Sequence, residues 1–112
     1  MPKFTGLVAT PVTPFDSQEM VYEAGIRQLV SFLGKSGVAN LFCIGSWGGF
    51  ALMQKAERKA VARIFIDQAR TDGMKTIINV SSQATRDAVE LARHAQDQGA
   101  DAVATTWPYY YT

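Results

Sequence analysis

Four short apolar segments alternate with three stretches of helical periodicity, and this alternation restricts the fold more than any other feature of the chain. The apolar segments lie at 6–10, 41–44, 76–80 and 101–105. They lack the polar–apolar alternation of a strand with one solvent-exposed face, so we expect strands buried on both faces. The resulting βαβαβαβ order predicts a parallel sheet covered by helices. Two closures satisfy it, a doubly wound sheet and a (β/α)₈ barrel.

The helical stretches are predicted at 16–36, 54–72 and 86–98. In each of them apolar residues recur every three or four positions, and a glycine follows each one. Asp16 or Ser17 can cap the first helix, and the hydroxyl and amide side chains at 81–85 can cap the third. The predicted turns from helix to strand, at 36–37, 72–73 and 98–99, are short and contain none of the aromatic residues found in the opposite loops.

The second apolar segment runs directly into a glycine-rich turn, Gly-Ser-Trp-Gly-Gly at 45–49. Glycine permits positive φ and close backbone approach, and Ser46 places a hydroxyl beside backbone N–H groups. Such a loop can hold a carboxylate or a phosphate, although a tight turn whose glycines serve only folding fits equally well. A P-loop is disfavoured because no Lys-Ser/Thr pair follows Gly49. Both closures place ligands at the carboxyl ends of the strands, where the loops rich in Gly, Ser, Tyr and Trp fall.

Composition excludes several classes of protein. A net charge of +1 gives no electrostatic case for binding nucleic acid or an anionic membrane. No apolar run approaches the roughly 20 residues of a membrane span, and the first residues lack the apolar core of a signal peptide. The single cysteine, Cys43, is predicted to lie in the core and fits a reducing compartment, so a cytoplasmic location is expected. No metal-ligand spacing occurs, and no cofactor is predicted.

Three motifs resemble one family when they are taken in order. They are ATPVTPFD at 9–16, GSWGG at 45–49 with Glu57 and Arg58 downstream, and PYY at 108–110. Over its whole length the chain is similar to the dihydrodipicolinate synthase / N-acetylneuraminate lyase family of class I pyruvate-dependent aldolases. The resemblance implies that residues 1–112 are the amino-terminal half, about four βα units, of a single (β/α)₈ barrel domain. It also implies a lyase, aldolase or dehydratase that forms a Schiff base with pyruvate or a 2-oxo acid adduct, and a homodimer or homotetramer.

The same resemblance assigns roles to particular residues. Ser46 matches the first hydroxyl residue of the carboxylate-binding loop. Trp47 stands where the family often has a threonine of a proton relay, so it offers its backbone N–H and an aromatic wall for substrate, as in the hydratase-aldolase branch, or packs against a neighbouring loop. Gly49 replaces a usual glutamate, and the departures at 47 and 49 together disfavour dihydrodipicolinate synthase activity itself. Tyr110 matches a catalytic tyrosine that, in synthase-type members, reaches the neighbouring subunit's site.

The Schiff-base lysine of the family lies on the sixth strand, beyond the four strands predicted here. None of the lysines of this chain is at the carboxyl end of a predicted strand; they are Lys3, Lys35, Lys55, Lys59 and Lys75. The 112 residues alone are therefore predicted to be inactive. Two alternatives stay open: a small α/β module that binds a carboxylate or phosphate without chemistry, and a non-catalytic half-barrel that self-associates.

Overall fold

A computed structural model of the protein describes residues 3–107. The elements are, in chain order, β1 Val8–Ala9, α1 Glu23–Lys35, β2 Asn40–Cys43, α2 Lys55–Thr71, β3 Lys75–Asn79, α3 Thr85–Gln98 and β4 Ala102–Ala104. A single 3₁₀ turn, Phe50–Leu52, lies between β2 and α2. The predicted alternation of four strands and three helices is confirmed.

The four strands form one parallel sheet in the order β1-β2-β3-β4. A doubly wound sheet grows in both directions from its first strand, whereas a barrel adds each new strand on the same side. The sequential order is therefore that of the first four strands of a (β/α)₈ barrel.

The core lies between the sheet and the helices, on one face of the sheet. Leu41, Cys43 and Ile78 are buried there together with Phe65 of α2. Phe42 and Ile77, at alternate strand positions, are only half-buried, so the opposite face is less covered. The core position predicted for Cys43 is confirmed, and burial raises the pKa of its thiol.

The prediction that the first helix starts near Asp16 is wrong. The Asp16 carboxylate accepts hydrogen bonds from the N–H groups of Gln18 and Met20, at 2.8 and 3.0 Å, and so closes a turn. An antiparallel bridge joins Phe15 to Val21 around that turn, and α1 begins only at Glu23. Aspartate stabilises a turn by the same local bonds with which it caps a helix, so sequence did not distinguish the two.

The prediction that every strand is buried on both faces is also wrong for the two outer strands. Val8 of β1 is 50% exposed and Val103 of β4 is 45% exposed, whereas β2 and β3 carry fully buried residues. An outer strand has a neighbour on one side only, so its apolar side chains lose part of their cover.

The helix ends agree with prediction at α2 and differ at α3. The Glu57 carboxylate accepts the Gln54 N–H at 2.9 Å and stabilises the start of α2. At α3 the N-cap is Ala84, which makes no side-chain cap. The hydroxyl of Ser81 is engaged elsewhere, as described below. Among residues 3–107 no helix is both long and apolar enough to span a bilayer.

Candidate functional site

A cavity of about 190 Å³ opens at the carboxyl ends of β2, β3 and β4. Its walls come from the end of β2 and the glycine loop, from the end of β3 and the turn after it, and from the segment after β4. The lining residues are Phe42, Gly45, Ser46, Phe50, Asn79, Ser81, Ser82, Gln83, Thr106 and Trp107. The cavity lies at the end of the sheet where both barrels and doubly wound sheets bind ligands.

Packing explains two of the glycines in the loop. A Cβ on Gly48 would lie 2.8 Å from Cα of Ile44, so the loop can fold back on the strand end only with glycine there. The Thr13 hydroxyl donates to the Gly48 carbonyl at 2.6 Å and fastens the loop to the segment after β1. Gly49 has φ +76°, which favours glycine. Gly48 and Gly49 are therefore required for the turn to fold, as the tight-turn interpretation states. That interpretation does not concern Ser46.

Ser46 is exposed at the tip of the turn and lines the cavity. Within residues 3–107 the backbone N–H groups of Ser46 and Trp47 have no hydrogen-bond acceptor. A hydroxyl and two free N–H donors in one turn are a suitable donor set for a carboxylate.

Ile44, immediately before the loop, has φ +61° and is 1% exposed. A buried β-branched residue in the left-handed region costs about 1–3 kcal/mol and persists only where its surroundings hold it. The Ile44 carbonyl accepts a hydrogen bond from Nδ2 of Asn79 at 2.8 Å, a buried contact from the end of β3. Asn79 therefore stabilises the conformation that starts the glycine loop.

The amide oxygen of Asn79 takes part in a hydrogen-bond network with the hydroxyl groups of Ser81 and Thr106. The Ser81 hydroxyl donates to Oδ1 of Asn79 at 2.6 Å and accepts the backbone N–H of Thr106 at 2.8 Å. Because the single proton of Ser81 is engaged, the Thr106 hydroxyl must be the donor in its 3.1 Å contact with Oγ of Ser81. This network joins the carboxyl ends of β3 and β4 to the loop after β2.

A buried arginine lies behind this network. Arg58 of α2 donates to the carbonyl of Ser81 at 2.6 Å and to that of Asn79 at 2.9 Å. Its guanidinium lies 5.4 Å from the ring centroid of Phe50, within cation–π range. Desolvation lowers the pKa of Arg58, and its buried Nε has no partner among the described residues. Arg58 thus connects α2 to three residues of the cavity wall.

The lysines lie elsewhere. Lys55 and Lys59 form ion pairs with carboxylates of α3, at 2.6–3.2 Å. Lys75 donates to the backbone carbonyl of Lys3 near the amino ends of the strands. None of the lysines of this chain lines the cavity formed by residues 3–107. In the same part of the chain no three His, Cys, Asp or Glu side chains converge as metal ligands.

The residues predicted from sequence separate in the structure. Ser46 lines the cavity, whereas the Trp47 side chain is 77% exposed and is not part of the wall. Tyr110 and the rest of the PYY motif lie outside the described residues. The contributions of Asn79, Ser81 and Thr106 were missed. Asn79 lies near the end of one predicted strand, and Ser81 and Thr106 directly follow the predicted strands 76–80 and 101–105. That placement was the available signal, because the carboxyl ends of parallel strands meet at one edge of the sheet.

Comparison with known proteins relates this geometry to a family. Residues 3–112 match the family model of the Dihydrodipicolinate synthetase family. The 4-hydroxy-tetrahydrodipicolinate synthase of Methanothermobacter thermautotrophicus is 33% identical over 108 residues, which are 96% of this chain and 38% of that protein. An N-acetylneuraminate lyase of Escherichia coli strain SE11 is 34% identical over 106 residues, 95% of this chain and 35% of its own length.

Solved structures agree. The crystal structure of YagE, a prophage protein of the dihydrodipicolinic acid synthase family from E. coli K12 in complex with pyruvate, superposes with a TM-score of 0.92 at 35% identity. The match covers 97% of this chain and 36% of that one. The chain thus spans little more than a third of the length of these relatives, and it corresponds to the amino-terminal part of their barrels. With its sequential parallel sheet and its family match over residues 3–112, the chain belongs to the Dihydrodipicolinate synthetase family.

Proposed function

We propose that the chain is the amino-terminal part of a lyase that acts on pyruvate or another 2-oxo acid through a Schiff base. In this proposal Ser46 and the adjoining backbone N–H groups bind the substrate carboxylate. The amine that forms the Schiff base comes from sequence beyond the four strands. The 112 residues alone are then inactive, and residues 1–112 are one portion of a single barrel domain.

One observation carries the proposal: Ser46 lines a cavity at the carboxyl ends of the strands, in a turn whose free N–H groups suit a carboxylate. The pyruvate complex of YagE supports the choice of a 2-oxo acid, since that protein superposes over 97% of this chain. The lyase names of the relatives support the reaction class.

The remaining assignments follow from the resemblance and belong to the proposal. Trp47 contributes its backbone N–H to the substrate carboxylate. Its side chain lies outside the described wall, so a contact with the distal part of a substrate requires walls supplied by the rest of the barrel. Tyr110 acts as a catalytic tyrosine. The complete protein is a cytoplasmic homodimer or homotetramer.

The test replaces Ser46 by alanine in the protein encoded by the complete reading frame, called the full-length protein below. The change removes one charge-assisted hydrogen bond to the carboxylate, worth about 1.5–3 kcal/mol. Since each 1.4 kcal/mol is tenfold, kcat/KM should fall about 10- to 150-fold, and pyruvate should bind correspondingly more weakly. Alanine fits the turn, so the melting temperature should hardly change.

Two variants serve as controls. Ser82→Ala removes a hydroxyl from another wall of the same cavity, where Ser82 makes only a 3.4 Å contact with the Ala84 N–H; we expect a change below about threefold. Trp47→Phe keeps the backbone donor and should preserve pyruvate affinity. A Ser46→Ala protein with unchanged kcat/KM and unchanged pyruvate affinity would refute the carboxylate assignment.

A further inference from the structure

We infer that Asn79 is a positioning residue for the carboxylate-binding loop, acting through the Ile44 carbonyl rather than by touching the ligand's reacting atoms. The inference rests on the function proposed above, because it concerns the same loop. It goes beyond that function by assigning the loop's geometry to one side chain on a neighbouring strand.

The carboxylate-binding loop starts at the peptide that follows Ile44. The peptide after Ile44 leads into Gly45 and Ser46, so its orientation sets the direction of the first donors of the turn. Ile44 holds φ +61°, a conformation that a buried isoleucine does not adopt by preference. Among the described residues, one side chain donates a hydrogen bond to the Ile44 carbonyl, and that donor is Nδ2 of Asn79 at 2.8 Å.

Asn79 is itself held in place by its neighbours. A carbonyl oxygen can only accept, so Nδ2 must face Ile44 and Oδ1 must face Ser81. The backbone carbonyl of Asn79 accepts a hydrogen bond from Arg58. Asn79 is buried, with both ends of its amide and its main-chain carbonyl engaged. A residue whose side-chain amide and main-chain carbonyl are both held can impose a geometry on a strained neighbour, as a freely rotating side chain cannot.

A purely structural role for Asn79 has different consequences from a positioning role. If Asn79 served only to satisfy a buried carbonyl, its loss would lower stability and leave ligand affinity in the folded protein unchanged. The chain offers a residue of that kind. Asn40 is also buried in the sheet, and its Nδ2 donates to the Thr5 carbonyl at 2.9 Å, at the amino ends of the strands.

The experiment compares Asn79→Leu with Asn40→Leu in the full-length protein. Leucine has a similarly branched side chain and no charge, so neither change adds a carboxylate that could repel the ligand. At position 79 the change removes the donor to the Ile44 carbonyl, and at position 40 it removes the donor to the Thr5 and Leu7 carbonyls, at 2.9 and 3.3 Å. For Asn79→Leu we expect pyruvate to bind about tenfold or more weakly by titration calorimetry, because the loop donors lose their alignment. At saturating substrate kcat should change far less than KM. For Asn40→Leu the melting temperature should fall and pyruvate affinity should stay within about twofold.

A milder variant guards against a protein that does not fold. Ser81→Ala keeps the Asn79 donor and removes the hydroxyl that orients its amide, and we expect about threefold weaker binding of pyruvate. If both Asn79→Leu and Ser81→Ala bind pyruvate as well as the unaltered protein, the inference is overturned.

Ser46→Ala, measured beside them, separates the two failures. If Ser46→Ala weakens pyruvate binding and the Asn79 and Ser81 variants do not, only the positioning role is wrong. If Ser46→Ala also has no effect, the proposed carboxylate loop is wrong, and the positioning role falls with it.

Discussion

Replacing Arg58 by methionine should be among the most destabilising changes on α2. The guanidinium makes two hydrogen bonds to the buried carbonyls of Ser81 and Asn79 and lies over the Phe50 ring. The methionine side chain is unbranched and apolar, so it fills part of the same space but donates no hydrogen bond to the carbonyls. The change therefore leaves two buried acceptors unpaired on the wall of the cavity.

The magnitude follows from opposing contributions. Each unsatisfied buried carbonyl costs about 1–3 kcal/mol, and the lost cation–π contact costs about 0.5–1 kcal/mol. Against this, burial opposes the arginine charge, as the lowered pKa of Arg58 indicates, and its Nε has no partner among the described residues. Methionine removes that desolvation cost. We expect a net loss of about 2–4 kcal/mol in the free energy of unfolding.

The assay is urea unfolding of the full-length protein, with Arg63→Met as the matched control. Arg63 lies on the same helix, but its side chain is 48% exposed and its contact with Glu23 is 4.0 Å long. The control should change the free energy of unfolding by no more than about 0.5 kcal/mol. Arg58→Lys should recover part of the loss, because one ammonium can reach one carbonyl but cannot reproduce the fork. Equal losses for Arg58→Met and Arg63→Met would refute the reasoning.

Two further predictions concern the 112-residue chain produced by itself. It should sediment as oligomers or aggregates, because β1 and β4 are outer strands with exposed apolar residues, Val8 at 50% and Val103 at 45%. A sharp monomer boundary with cooperative unfolding would favour the small binding module instead. Incubation with pyruvate and borohydride should leave this chain unmodified, since no lysine lines the cavity of the described residues, and should add one reduced pyruvate per chain to the full-length protein. Stoichiometric labelling of the short chain, seen by mass spectrometry, would contradict that placement of the amine.

Sequence by itself determined the order of the elements and the end of the sheet at which a site would form. Uninterrupted apolar segments such as residues 41–43 of β2 predict strands whatever the closure, since the absence of polar–apolar alternation is a local pattern. The glycine loop was visible for the same reason: Gly48 is required by the close approach of its own neighbour Ile44, a contact between residues four apart. Ser46 could be singled out because it lies inside that local motif.

Only the tertiary structure decided which residues from separate elements meet. The strand order excludes the doubly wound alternative, because that choice depends on pairing between segments that local periodicity does not specify. Asp16 forms a turn rather than a cap, since the antiparallel bridge of Phe15 with Val21 competes with the helix. The bonds from Asn79 to Ile44 and from Arg58 to Ser81 join residues 35 and 23 positions apart. Only the packing of separate elements brings these partners within hydrogen-bond distance, and for that reason the wall of the cavity could not be derived from the sequence.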